Sequence, residues 1–273
     1  MVNLKIFCFT LKNLGLLNKL PKYIVPFGLG NGLYPKNWKQ EKKYHPNILH
    51  LNSYYSDQSG LYCIWKHELK NYKKNNWIGI CHYRKLWLDS LHKKKNFFSF
   101  SSINDKLLSS NNKIFLKYDS VLVQPIIFKS KKNLLEDFNL VHGENVLEKV
   151  ISFLDKENRE GFKNHVKNNV LYLANMFITK PKILRKYCKS LFPWLNKCFR
   201  YAKKEKLFTK KDNRLIGFLA ERYCSYWFSN YTKFTILSYI RLGNFYISNK
   251  VNNILNPLKI PMTFSNRPTI HEF

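Results

Sequence analysis

The chain has 273 residues, 45% of them hydrophobic and 16% aromatic, enough for one large folded domain, which excludes wholesale disorder. Its 47 Lys and Arg against 17 Asp and Glu give a formal net charge of +30, a field that draws nucleic acid, acidic headgroups or phosphorylated small molecules. A general bias towards Lys and Asn, visible in "KNYKKNNW" and "KKKNFF", explains part of that charge equally well.

Residues 4–10, "LKIFCFT", are apolar on both faces, as in a central strand of an α/β sheet. Lys5 and Lys12 interrupt the N-terminal apolar patch, so it does not read as a signal peptide. A second apolar run at 23–32 breaks into a loop with Gly28, Gly30 and Gly32. These do not match G-x-G-x-x-G, and a plain turn is expected rather than a phosphate cradle.

Residues 55–70 read as a helix capped by Ser56 or Asp57, with Tyr55, Ser59, Tyr62 and Lys66 at steps of four, three and four on one face. That face suits a cleft or plain solvent. A strand follows at 77–82. His82, Tyr83, Arg84 and Lys85 crowd its end, where a simple turn would use Gly, Asn, Asp or Pro. The cluster points to a binding site at the carboxyl edge of a sheet.

Residues 89–112 suit a loop or short helix, and 114–128 two β-like runs separated by Tyr118 and Asp119. The stretch 131–169 is helical and charged. A buried segment from 169 leads to Pro181, which opens a long amphipathic helix broken or kinked at Pro193. Another amphipathic helix spans 212–231, with Asp212 as its cap. The basic, aromatic tail from 232 gives no structural signal and is set apart from a domain at 1–231. Its Lys233, Tyr239, Arg241, Phe245, Tyr246 and Lys250 are assigned to an anionic membrane surface. The six cysteines are scattered without a C-x-x-C pair, as expected of reduced, buried thiols in a cytoplasmic protein. No apolar run reaches the ~20 residues of a membrane span, so any membrane attachment is expected to be peripheral, on the inner face.

The motifs, taken in order, resemble the DUF4422 family, bacterial glycosyltransferases of capsule, exopolysaccharide and O-antigen loci. The first has the pattern N-I-S-x-x-N-x-x-Y-x-E-x-T-G-L-Y-W-x-W-K, met here at Asn47, Asn52, Tyr55, Gly60, Leu61, Tyr62, Trp65 and Lys66. Its Glu is read as Gln58 and its Thr as Ser59, and the acidic run that usually precedes it is absent. H-Y-R-R becomes His82 to Lys85, with "YDSVLVQP" following. N-M-F is Asn175, Met176 and Phe177, and G-F-L-x-E-R runs from Gly217 to Arg222. The match extends from residue 2 to residue 230.

The resemblance implies a GT-A-like, Rossmann-like α/β fold with a helical C-terminal part, a nucleotide-sugar donor and a glycan or lipid-linked acceptor. UDP-galactofuranose is one donor to consider. Such chemistry needs a diphosphate held, its departure stabilised and an acceptor hydroxyl activated. GT-A enzymes commonly hold Mn²⁺ or Mg²⁺ on D-x-D, which this chain lacks, so such an ion is left open and no metal ligand is assigned. Arg84 and Lys85 are expected to neutralise the diphosphate, with Tyr83, Tyr55, Ser59, Tyr62, Lys66 and Asn175 completing the donor site. Glu221 is the expected base, because a carboxylate on a largely apolar helix needs a reason; an ion pair to Arg222 or Arg214 is the structural alternative. His82 is the second catalytic candidate, and His142, Glu144 and Arg222 are assigned to the acceptor. A nucleic-acid-binding protein and a non-catalytic membrane-surface scaffold are the competing readings. The dispersed cations and the lack of a reader motif weigh against nucleic acid.

Overall fold

Strand β1 (Asn3–Thr10) lies near the middle of a nine-stranded sheet and is apolar on both faces because both are covered. Phe7 and Phe9 point into one core, and Leu4, Ile6 and Cys8 into the other. The structure, a computed structural model, describes residues 2–91, 103–128, 133–209 and 213–242. Parallel to β1 run β2 (Ile24–Gly28) on one side, followed by β3 (Lys39–Gln40), and β4 (Asn76–His82) on the other.

The segment expected to be one helix at 55–70 is several pieces. Helix α1 (Asn52–Tyr55) stops at Ser56, whose φ of 54° and ψ of −133° break the spiral, and α2 (Gln58–Cys63) restarts it. A π turn over Ile64–Glu68 follows. Strand β4 then turns tightly into β5 (Lys85–Trp87), pairing His82 with Lys85.

Residues 114–128 hold one helical turn, α3 (Ile114–Lys117), instead of a first β run, then β6 (Ser120–Val123) and β7 (Ile126–Ile127). The charged stretch beyond is three helices: α4 (Leu134–His142), α5 (Val146–Ile151) and α6 (Lys156–His165). The buried segment supplies β8 (Val170–Leu171) and β9 (Phe177–Thr179), the latter antiparallel between β4 and β6. Helix α7 (Pro181–Lys204) runs through Pro193 without a break. Pro193 and Lys189, four residues earlier, are both exposed, so water satisfies the carbonyl that proline leaves unpaired. Helix α8 (Leu215–Tyr231) packs against α7. The expected cap, Asp212, lies outside the described residues.

The tail is corrected in part. Strand β10 (Phe234–Leu237) joins the sheet beside β6, and β11 (Tyr239–Arg241) pairs with β5. The domain therefore continues past 231, and Tyr239, 4% exposed, is a core residue unable to reach a membrane. Phe245, Tyr246 and Lys250 lie outside the described residues. Among those described, all six cysteines are free and buried, and no helix is long and apolar enough to cross a membrane.

Close strand packing at Gly79 gives a stability prediction. A Cβ there would stand 2.8 Å from Ile178 Cγ1 on β9 and 3.2 Å from Ile6 Cγ1 on β1. Gly79→Ala should cost about 1–3 kcal/mol by overpacking. Urea unfolding checks this, and an unchanged midpoint would show that the strands separate freely.

Candidate active site

The carboxyl ends of β1 and β4 lie side by side, in the register Phe9 opposite His82, and a cavity of about 440 Å³ opens there. Ligands gather at such edges of parallel sheets, where connections leave a crevice. One wall carries Phe9, Thr10 and the turn His82–Lys85. The other carries Ala174 and Asn175 ahead of β9, with Gly217, Phe218 and Glu221 from α8. Asn52, Ser53, Ser56 and Asp57, around the helix break, line the remainder, and Arg214 stands at the start of α8.

Main-chain bonds fix the turn: Tyr83 N donates to Phe9 O at 3.0 Å, and Leu242 N donates to Arg84 O at 2.8 Å. The Arg84 guanidinium lies 5.4 Å from the centre of the Tyr83 ring. Its buried Nε has no hydrogen-bond partner, nor does the buried Asn175 Oδ1.

Ala174 is held from both sides. Its carbonyl accepts from His82 Nε2 at 2.7 Å, which places the ring proton on that nitrogen. Its N–H donates to Glu221 Oε1 in a short bond. The grip maintains positive φ at Ala174 (68°) and Asn175 (49°). With Ser56, three of the five non-glycine residues of positive φ among those described line this one cavity. Strain of this kind, about 1–3 kcal/mol per residue, concentrates at functional sites.

Asp57 lies deep in the cavity. Its Oδ1 accepts from the side-chain amides of Asn175 and Gln58, each at 3.4 Å, and Oδ2 stands 3.6 Å from His82 Nε2. Burial pushes the Asp57 carboxyl up to about 6 and raises Glu221 too, although Arg222, the Ala174 N–H and Lys85 oppose the rise in Glu221. His82 is pulled down to about 4 by burial and by the Lys85 charge, so its ring is neutral at pH 7. Burial also lowers Lys85, against the pull of Glu221.

Of the residues expected in the site, His82, Tyr83, Arg84, Lys85, Asn175 and Glu221 line the cavity. The other donor candidates do not. Tyr55 is buried against Phe199, Ser59 is bonded to Ser56 O and Asn52, and Tyr62 packs on Phe192. The exposed Lys66 lays its ammonium 3.8 Å from the centre of the Trp65 ring. The break at Ser56 and the π turn shift the helical phase, so the four side chains do not line the cavity together.

The acceptor candidates also fall elsewhere. His142 sits between Phe138 and Phe218, behind the cavity wall, and Glu144 is exposed in the turn after α4. Arg222, about 100° around α8 from Glu221, is buried and bonded to Asp137 at 2.6 Å.

Asp57, read as a helix cap, was signalled in the motif itself. Counted from Tyr55 to Gly60, the acidic position of Y-x-E-x-T-G falls on Asp57, not on Gln58. Asp119 pairs with Lys180 at 2.8 Å instead of facing the cavity. Among the described residues no three His, Cys, Asp or Glu side chains gather as an ion site, and the two cavity carboxylates share their space with Lys85. That donor set does not fit a divalent ion.

The fold is similar to that of the apo WbbM bifunctional glycosyltransferase, with a TM-score of 0.67 at 20% identity over 87% of this chain and 45% of that one. The chain thus spans less than half the length of that protein, and the likeness establishes a GT-A-like fold. Core-mannan synthase A (CmsA/Ktr4) from Aspergillus fumigatus, in its Mn/GDP form, aligns over 88% of this chain and 74% of its own at 10% identity. Its TM-score of 0.35 is too low to bear on function. No curated protein matches significantly. Residues 5–232 match DUF4422, described as a domain of unknown function, and the chain belongs to that family.

Proposed function

We propose that the protein is a glycosyltransferase that moves a hexose from a nucleotide-sugar donor to a glycan or lipid-linked acceptor in surface polysaccharide synthesis. The observation carrying this reading is a cavity lined by Arg84, Lys85 and Asn175, two of which keep a buried, unpartnered atom, the donor Arg84 Nε and the acceptor Asn175 Oδ1. Buried polar groups without partners cost about 1–3 kcal/mol each, a cost that a complementary ligand removes. A guanidinium fork matches phosphate oxygens, and an amide oxygen matches a sugar hydroxyl.

In this reading Arg84 and Lys85 take the diphosphate and stabilise its charge as the glycosidic bond breaks, with Tyr83 beside them. The walls partly enclose the site, which strengthens these contacts relative to open water. Asn175 orients the sugar, and a cavity carboxylate receives the acceptor's proton. The donor is read as UDP-linked, with galactofuranose among the sugars to test. The excess of cations favours work at an anionic membrane face on the cytoplasmic side.

A thermal-shift panel of UDP-, GDP-, dTDP- and CMP-sugars, with and without Mn²⁺ or Mg²⁺, tests the reading. One nucleotide series should raise the melting temperature. Arg84→Ala should weaken its binding about 10–100-fold, as expected for a charged hydrogen bond worth ~1.5–3 kcal/mol, with the unliganded melting temperature nearly unchanged. No response to any nucleotide, together with RNA binding that falls steeply as salt rises, would favour the nucleic-acid reading instead.

A further inference from the structure

We infer that Asp57 is the residue that takes the proton from the acceptor hydroxyl, and that Glu221 and His82 position the Ala174–Asn175 loop that frames it. The inference rests on the transferase reading above.

The division of labour follows from what each group already holds. Glu221 Oε1 is committed to the Ala174 N–H, and His82 Nε2 to the Ala174 carbonyl. Together they clamp the two peptide units that flank Ala174 and hold that residue in a left-handed conformation. The next residue, Asn175, then reaches Asp57 with its amide, across 118 positions of sequence. Asp57 is held loosely by comparison. Its two amide contacts are long and fall on the same oxygen, Oδ1, while Oδ2 faces a His82 proton already given to Ala174. A general base needs a carboxylate oxygen with an unengaged lone pair at the reacting centre, and Oδ2 supplies it.

Asp57 also follows Ser56, whose strained backbone ends α1 and turns the chain into the cavity. Burial that holds the carboxyl at about 6 keeps it mostly ionised near neutral pH and makes it a stronger base than an ordinary aspartate. In the step itself, the acceptor oxygen bonds to the anomeric carbon while the bond from that carbon to the phosphate oxygen breaks. The bonding pair leaves on the diphosphate, beside Arg84 and Lys85, and the hydroxyl proton passes to Asp57 Oδ2.

Hydrolysis of the sugar nucleotide, with water standing in for the acceptor, tests this without an identified acceptor. UDP-, GDP- and dTDP-sugars serve as substrates, and binding of the free nucleoside diphosphates is titrated in parallel. Asp57→Asn should keep nucleoside diphosphate affinity, with a melting temperature at or above the parent's because the buried charge is gone, while hydrolysis falls ~10²–10⁴-fold. The parent rate should rise as pH increases through about 6; Asp57→Asn should lose that limb and Glu221→Gln should keep it. Asp57→Glu, which retains a carboxylate, should recover part of the rate and the limb. Persistence of the limb in Asp57→Asn, or its loss in Glu221→Gln, would overturn the assignment alone. A parent protein that binds none of these diphosphates and cleaves none of these donors would overturn the transferase reading, and this inference with it.

Discussion

Asp137→Ala is expected to lower stability by about 3–5 kcal/mol, the cost of leaving one partner of a buried ion pair alone. Asp137 Oδ2 lies 2.6 Å from Arg222 Nη2, and the two side chains are 18% and 5% exposed. Arg222 is the deeper member. Its Cζ stands 4.8 Å from the centre of the Phe138 ring, and its Nε has no partner. An arginine stays charged, so the guanidinium, left with the Glu221 charge but without its hydrogen-bonded carboxylate, cannot relieve its burial by losing a proton. Arg222→Met should be milder, because the remaining Asp137 side chain is the more exposed member and reaches some water.

In a chain of this size each kcal/mol moves the melting temperature by about 2–4 °C, which puts Asp137→Ala roughly 10 °C below the parent. Replacing both members with apolar residues, as Asp137→Leu with Arg222→Met, should recover most of the loss. Nucleoside diphosphate affinity of the folded fraction should not change in any of these variants, since neither residue lines the cavity. A shift under 2 °C in Asp137→Ala would place the pair in solvent. Lost affinity at an intact melting temperature would restore Arg222 to the acceptor site.

The parts of this site carried by short-range pattern were legible in the sequence. A strand buried on both faces must be apolar throughout, so β1 and β4 stand out, and a chain of cations and rings at the end of β4 has no use as a mere turn. Glu221 stands out for the same reason, as a carboxylate on an apolar helix. What failed depended on phase or on distance. The face Tyr55–Ser59–Tyr62–Lys66 assumes an unbroken helical spiral, which Ser56 and the π turn interrupt. The ends of the Asp57–Asn175 contact are too far apart in sequence for any local window, and helical pattern alone reads Asp57 as a cap, although the motif's acidic position marks it. Strand β10 was missed because four residues carry little periodicity, and its partner β6 begins at Ser120.

His165 is expected to make the fold acid-labile in a way that one substitution removes. Its ring packs near Tyr226, with Nε2 3.3 Å from Ser225 Oγ, and burial alone pulls it from 6.5 down to about 4. The sign follows from which state takes the proton. Between pH 6.5 and 4 the unfolded chain protonates this imidazole and the native state does not. Stability is therefore full above 6.5 and drains away as pH falls towards 4. Such a displacement corresponds to about 3 kcal/mol, most of it already lost at pH 4.5. His82 acts in the same direction over the same window. Asp57 acts oppositely: held at about 6 against an ordinary 3.8, it binds a proton more readily when folded, gains stability as pH falls between those values, and offsets roughly one histidine. The net acid loss from the three groups is therefore about that of one histidine. His165→Gln, neutral at every pH, should remove it, narrowing the gap between urea midpoints measured at pH 7 and pH 4.5. If parent and variant lose equal stability between those pH values, water reaches the His165 ring in the native state and the acid sensitivity originates elsewhere.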